Sequence, residues 1–154
     1  MYKGTSFIDK VILFFSRGGY SHASVLFNDD TTIEAKPLKK VHRCNSVMDG
    51  LTCNTKIDIF EVYTTKSQDR IIKDFLTEQL GKSYDYLGIF GFILYTTEEK
   101  RKRRSKWFCS ELVTAAFKKA GVNLLDRVDV WKVSPTILSY STKLNQRDTL
   151  FFIR

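Results

Sequence analysis

Three side chains in this sequence could together do nucleophilic thiol chemistry, with Cys109 as nucleophile, His22 as base and Glu34 as an acceptor to orient the base. A thiol attacks as the thiolate, and a free cysteine with a pKa of about 8.5 is only slightly ionised at neutral pH. The stretch WFCSELVTAAFKKAG, Trp107 to Gly121, reads as a helix that places Cys109 at its start. Leu112, Val113, Ala116 and Phe117 carry the helical apolar spacing, and Gly121 supplies the stop. A helix N-terminus offers unpaired N–H groups and about half a positive charge, both of which favour S⁻. The competing role for a free cysteine is that of a small buried hydrophobe.

A thiolate catalyst needs a base that later protonates the leaving group, and histidine does this best near neutral pH. The chain has two histidines. His22 lies in YSHASVLF, Tyr20 to Phe27, on the strand face shared with Tyr20, Ser24 and Leu26. His42, beside Arg43 in a weakly patterned region, is expected at the surface. Glu34 lies in the returning strand TTIEA, Thr31 to Ala35, after the turn Asn28-Asp29-Asp30. If Phe27 pairs with Thr31 across that loop, His22 faces Lys36. Glu34 is then its diagonal neighbour, about 7–8 Å away at Cα. A two- or four-residue loop puts the two side chains on opposite faces, and Glu34 is then a solvated strand carboxylate.

The elements that must hold these residues follow from local pattern. SFIDKVILFFS, Ser6 to Ser16, has apolar residues at 7, 8, 11, 12, 14 and 15, predicting a helix with Ser6 as N-cap. KIDIFEVY, Lys56 to Tyr63, alternates as a strand. Ser67 to Leu80 predicts a helix with Ile71, Ile72, Phe75, Leu76 and Leu80 inward and Gly81 as its stop. Residues 84–95 read as an apolar helix, Ser134-Pro135 as the start of a short helix, and Asp148 to Ile153 as a last strand. Val41 to Cys53 carries no clear pattern. Strands and helices mix without regular βαβ alternation, so the expected class is α+β, a mainly antiparallel sheet packed against helices in one domain over residues 1–154.

The chain carries 25 Lys+Arg against 17 Asp+Glu, a net charge of +8 that attracts anions without specifying which. The basic run KRKRRSK, Lys100 to Lys106, ends next to Cys109. It reads either as a solvated loop or as a lip that draws an anionic substrate or surface to the site. The alternative to an enzyme is a non-catalytic basic module that binds anionic membrane or nucleic acid. No aromatic interleaving or reading helix accompanies the run, so no specific nucleic-acid partner is expected. The odd cysteine count precludes a complete disulfide framework, and no secretory signal or spanning segment is evident; a cytoplasmic, reducing compartment is expected. His42 and Cys44 have H-x-C spacing, with Cys53 further on, but a fourth protein ligand and paired C-x-x-C are lacking; no metal or other cofactor is expected.

The run from Ile12 to Ala23, with its Tyr20-Ser21-His22, resembles the helix and Y-S-H opening of circularly permuted NlpC-type papain-like proteins. Specifically it is similar to the YiiX-like branch found in bacteria and their phages, and distantly in some large DNA viruses. Ile33-Glu34-Ala35, Leu80 to Tyr86 (LGKSYDY), Trp107 to Val113 (WFCSELV) and Val133-Ser134-Pro135 resemble that branch's further motifs, in the same order, over residues 6 to about 140. The resemblance implies a papain-like cysteine peptidase or amidase in permuted order, with Cys109 as nucleophile, His22 as base and Glu34 as orienter. It also implies that Tyr84 and Asp85 lie near the site; with Tyr20 they are the expected substrate contacts. The implied substrate is a peptide, isopeptide, cell-wall or lipid amide, or an ester. A virus- or phage-encoded chain of this kind would act in the host cytoplasm.

Overall fold

The computed structural model describes residues 1–16, 18–49, 51, 55–86 and 106–152. Helix α1, Phe7–Ser16, begins at Ser6, whose Oγ accepts from Asp9 N at 3.2 Å while Ser6 N donates to Asp9 Oδ2 at 3.1 Å. This reciprocal cap satisfies two donors at the helix start. Ile12 is buried, with Ile8 and Val11 packed beside it, whereas Phe7 and Phe14 stay exposed. The apolar set of α1 is therefore wider than the stripe it buries.

Three strands follow: β1, Val25–Leu26; β2, Thr32–Lys36; and β3, Lys40–Cys44. They form one antiparallel sheet in the order β1-β2-β3. Val25 faces Ile33 and Leu26 faces Thr32, the register that the three-residue loop demands, and Phe27 N donates to Thr31 O at 2.9 Å. The strand expected over Tyr20–Phe27 is shorter than its pattern suggests. Ser21 and His22 leave β2 and pair instead with Tyr2, whose backbone bridges both His22 and Ile57.

Strand β4, Thr55–Glu61, pairs antiparallel with β7, Asn145–Phe152, in a second sheet. Tyr2, bridged to one residue near each sheet, links the two. Helix α2, Lys66–Glu78, opens with a capping box between Thr65 and Gln68 and buries Ile72 and Leu76. Ile71 and Leu80, expected inward, are partly exposed. Gly81 takes a left-handed φ of 82° two residues beyond Gln79, a conformation that a side chain would strain. That turn lets Gly81 N donate to Val41 O at 2.8 Å and Val41 N to Lys82 O at 2.9 Å, which pins β3.

Strands β5, Ser83–Tyr84, and β6, Lys106–Trp107, form a short parallel pair that leads into helix α3, Cys109–Lys119. Gly121 follows with a φ of 78°. A 3₁₀ turn, Val130–Lys132, and helix α4, Pro135–Ser139, complete the described elements; Ser134 Oγ caps α4 by accepting from Ile137 N at 3.1 Å. The fold is α+β with antiparallel sheets. Its main core joins Ile33, Ala35 and Val41 of the first sheet to Ile72 and Leu76 of α2 and Leu112 and Ala116 of α3. Each buried Val, Leu or Ile among them contributes about 1.5–3 kcal/mol by leaving water. Among the described residues no helix is long and apolar enough to cross a membrane. Of the apolar helix expected over residues 84–95, Tyr84 lies instead in β5, while residues 87–95, most of the basic run Lys100–Lys106 and Cys53 lie outside the described residues.

Candidate functional site

Cys109 is the first residue of α3, and Phe108 precedes it in extended backbone. The helix start is held on three sides. Ser110 Oγ donates to Val133 O at 2.5 Å, Trp107 Nε1 donates to Gln79 Oε1 at 3.1 Å, and Phe108 is buried against Tyr84 with ring centroids 5.8 Å apart. Glu111 Oε2 accepts from Phe108 N at 3.4 Å, so this carboxylate stabilises the helix start.

His22 and Glu34 meet although the backbone of His22 has left the β1–β2 ladder for Tyr2. His22 Nε2 lies 2.7 Å from Glu34 Oε2. With Nε2 committed to the carboxylate, Nδ1 is the ring nitrogen left for the thiol, and Cys109 is close enough to His22 to favour its charged form. Cys109 Sγ also lies 4.0 Å from Ser21 O. The three side chains are shut off from solvent, with Cys109 0%, His22 3% and Glu34 5% exposed. Tyr2 stacks on the imidazole, its ring centroid 4.8 Å away at 35°.

Burial opposes a charge on His22, but the negative sulfur and the Glu34 carboxylate outweigh it and raise the imidazole pKa to about 9. Burial likewise disfavours charge on Glu34. The positive His22 and its hydrogen bond, with smaller help from Lys36 and His42, bring the carboxyl pKa down to about 2. The arrangement favours an imidazolium held by the Glu34 carboxylate with the Cys109 thiol beside it, the setting in which a thiol is activated.

The expected substrate contacts occupy different positions. Tyr84 is buried beside Phe108, and its hydroxyl has no hydrogen-bond partner among the described residues. Burial is the main cause that raises the phenol well above its usual pKa, and the charge of Cys109 adds to it. Asp85 is buried, and its N–H donates to Trp107 O at 3.0 Å. Tyr20 directs its hydroxyl to Asp58, donating to Oδ2 at 2.7 Å, so that group anchors the second sheet.

His42 departs from its expected surface position. Strand β3, absent from the sequence reading, pairs His42 directly with Glu34. The imidazole is half-buried, with Nε2 3.3 Å from Glu34 Oε1. Cys44 lies on the same side, its Sγ 3.7 Å from that oxygen. Glu34 thus presents one oxygen to His22 and the other to His42, Cys44 and Lys36, whose Nζ is 3.8 Å away. Beside this cluster runs a cavity of about 1210 Å³ whose walls include Tyr2, Glu34, Cys44, Ile57 and Asp58. Searched against protein families and against curated proteins, the chain matches none.

Proposed function

We propose that the chain is a thiol hydrolase of the permuted, papain-like NlpC kind, cleaving an amide or ester through Cys109, His22 and Glu34. The observation that carries this reading is the joint burial of Cys109, His22 and Glu34, with His22 Nε2 2.7 Å from the carboxylate and the imidazole biased toward its charged form by both neighbours. A base oriented by a third group is the arrangement that activates a nucleophile in triads of this kind.

The reaction is an acyl transfer. Cys109 gives its proton to His22, and S⁻ attacks the carbonyl carbon, pushing one electron pair onto oxygen. Backbone N–H groups at the start of α3 stabilise that oxyanion. As the tetrahedral intermediate collapses, the imidazolium donates its proton to the leaving nitrogen or oxygen, and a thioester remains. Neutral His22 then deprotonates a water, which attacks the thioester and releases acid and thiol. Glu34 holds the ring and compensates its charge throughout.

The test is hydrolysis of peptide-amide and lipid-acyl probes by the intact chain and its variants. Cys109→Ala and His22→Ala are expected to lose turnover while keeping the circular dichroism of the parent. On the parent, Cys109 is expected to be alkylated at pH 6 ahead of Cys44 and Cys53, and the preference to vanish in His22→Ala. Full activity in a folded Cys109→Ala chain would falsify the reading.

A further inference from the structure

We propose that Glu34, His42 and Cys44 form a site for a soft divalent cation, zinc being the fitting ion, on the back of the carboxylate that orients His22. The antiparallel register makes the cluster. Glu34 faces His42 directly and Thr32 faces Cys44, so His42 and Cys44, two apart on β3, point to the side of the sheet that Glu34 occupies. The three donors are an imidazole nitrogen, a thiol sulfur and a carboxylate oxygen, all within 4.8 Å of one another.

The separations suit a shared ion. Zinc bonds of about 2.0–2.3 Å at tetrahedral angles place neighbouring ligand atoms about 3.3–3.7 Å apart. Nε2 to Oε1 is 3.3 Å and Sγ to Oε1 is 3.7 Å. His42 is also oriented as a ligand. Its Nδ1 lies 3.2 Å from Lys40 O, and a proton donated there leaves the Nε2 lone pair free. That Nε2 is buried, faces a carboxylate oxygen and makes no hydrogen bond. In the neutral ring that lone pair is set against a carboxylate, and a cation shared between them, a proton or a metal ion, relieves the repulsion. Glu34 and Cys44 line the large cavity, which provides an entry path and a water for the fourth position.

Coordination requires two local changes. Cys44 binds as thiolate and releases its proton to solvent. Lys36, now 3.8 Å from Oε1, must swing away. A cation on Oε1 withdraws electron density from Oε2 and loosens its hold on His22. The site itself stands on geometry. Its inhibitory effect rests on the hydrolase reading of the previous section.

The experiment separates the two. Cobalt(II) chloride is titrated into the full chain carrying Cys53→Ser and Cys109→Ala, which leaves Cys44 as its one thiol. The expected result is a thiolate-to-cobalt charge-transfer band that saturates at one equivalent and is displaced by zinc chloride. Adding Cys44→Ser should abolish the band, adding His42→Gln should weaken affinity at least about tenfold, and adding Lys36→Met should tighten it. Should Cys44→Ser fail to fold, zinc is expected to slow alkylation of Cys44 in the chain with its native cysteines, mapped by mass spectrometry. Absence of the band, a band indifferent to His42, or Cys44 alkylation unaffected by zinc overturns the site. If turnover exists, zinc inhibition should weaken at least tenfold in Cys44→Ser. Undiminished inhibition there means zinc acts at Cys109 and His22 and overturns the inhibitory role, and the band in the Cys109→Ala chain together with a parent chain that turns over no probe refutes the hydrolase reading alone.

Discussion

His22 and Glu34 meet at 2.7 Å across a hairpin whose first strand starts at Val25, three residues after the histidine. The backbone of His22 is held by Tyr2 instead, in a two-way exchange of hydrogen bonds at 3.2 Å each. The base is therefore mounted from one side and oriented from the other, which gives the contact its rigidity.

Replacing that carboxylate tests the orientation. Glu34→Gln keeps the shape but removes the charge that helps keep His22 protonated. Turnover of a hydrolysable probe is expected to fall about 10²–10⁴-fold, as for other orienting carboxylates. In the parent, kcat/KM should decline as pH rises through about 9, where the imidazolium loses its proton. In Glu34→Gln the declining limb should move to lower pH. A limb that stays in place would show that Glu34 does not act on His22.

Stability should follow the same two groups. Glu34 falls from an ordinary 4.5 to about 2 in the folded chain, so its contribution is complete above about 4.5 and is lost as pH drops toward 2. His22 rises from 6.5 to about 9, so its contribution is complete below about 6.5 and is lost as pH climbs toward 9. Urea unfolding is expected to show a plateau between about pH 4.5 and 6.5. The loss at each end should be on the order of 2–3 kcal/mol, with much of it shared by one pair. In His22→Ala both slopes should flatten.

Tyr84→Phe separates chemistry from packing. The buried hydroxyl has no partner among the described residues, so removing it should leave thermal stability unchanged or raise it by about 1 kcal/mol. If that hydroxyl serves the reacting carbonyl, kcat should drop about tenfold at constant Tm. Unchanged kcat with raised Tm would mark Tyr84 as packing beneath α3.

Gly18 tests the support behind the base. A Cβ at this position would overlap the side chain of Thr136, whose Oγ1 donates to Tyr20 O at 3.2 Å. Gly18→Ala is expected to cost about 1–3 kcal/mol by overpacking. The double variant with Thr136→Ala, measured by chemical denaturation, should recover part of that loss. Additive effects would place the strain elsewhere.

The sequence made the helices legible because their caps and stripes are local: Ser6 before α1, the apolar stripe and Gly81 stop of α2, Ser134 before Pro135. The hairpin register was also legible, since loop length alone decides whether Glu34 shares a side with His22. Strand β3 was not. Its buried residues Val41 and Cys44 are three apart, so no period of two appears, and the pairing comes from neighbours on β2 and from the Gly81 turn. His42 went unplaced for the same reason. A diagonal or cross-strand partner is a property of register, which a weakly patterned segment does not encode on its own. The Tyr2 bridge was likewise invisible, because a single residue pairing with two separate segments leaves no periodic trace.

Cys109 belongs to the same apolar cluster as Ile33, Ala35 and Leu112, so assembling the core and assembling the reactive pair are one event. Histidine and carboxylate are synthesised first, and the sulfur emerges after another long span of chain. A growing polypeptide would thus hold an inert thiol until α3 docks on β2, and heat would disarm the sulfur at the temperature at which the core gives way.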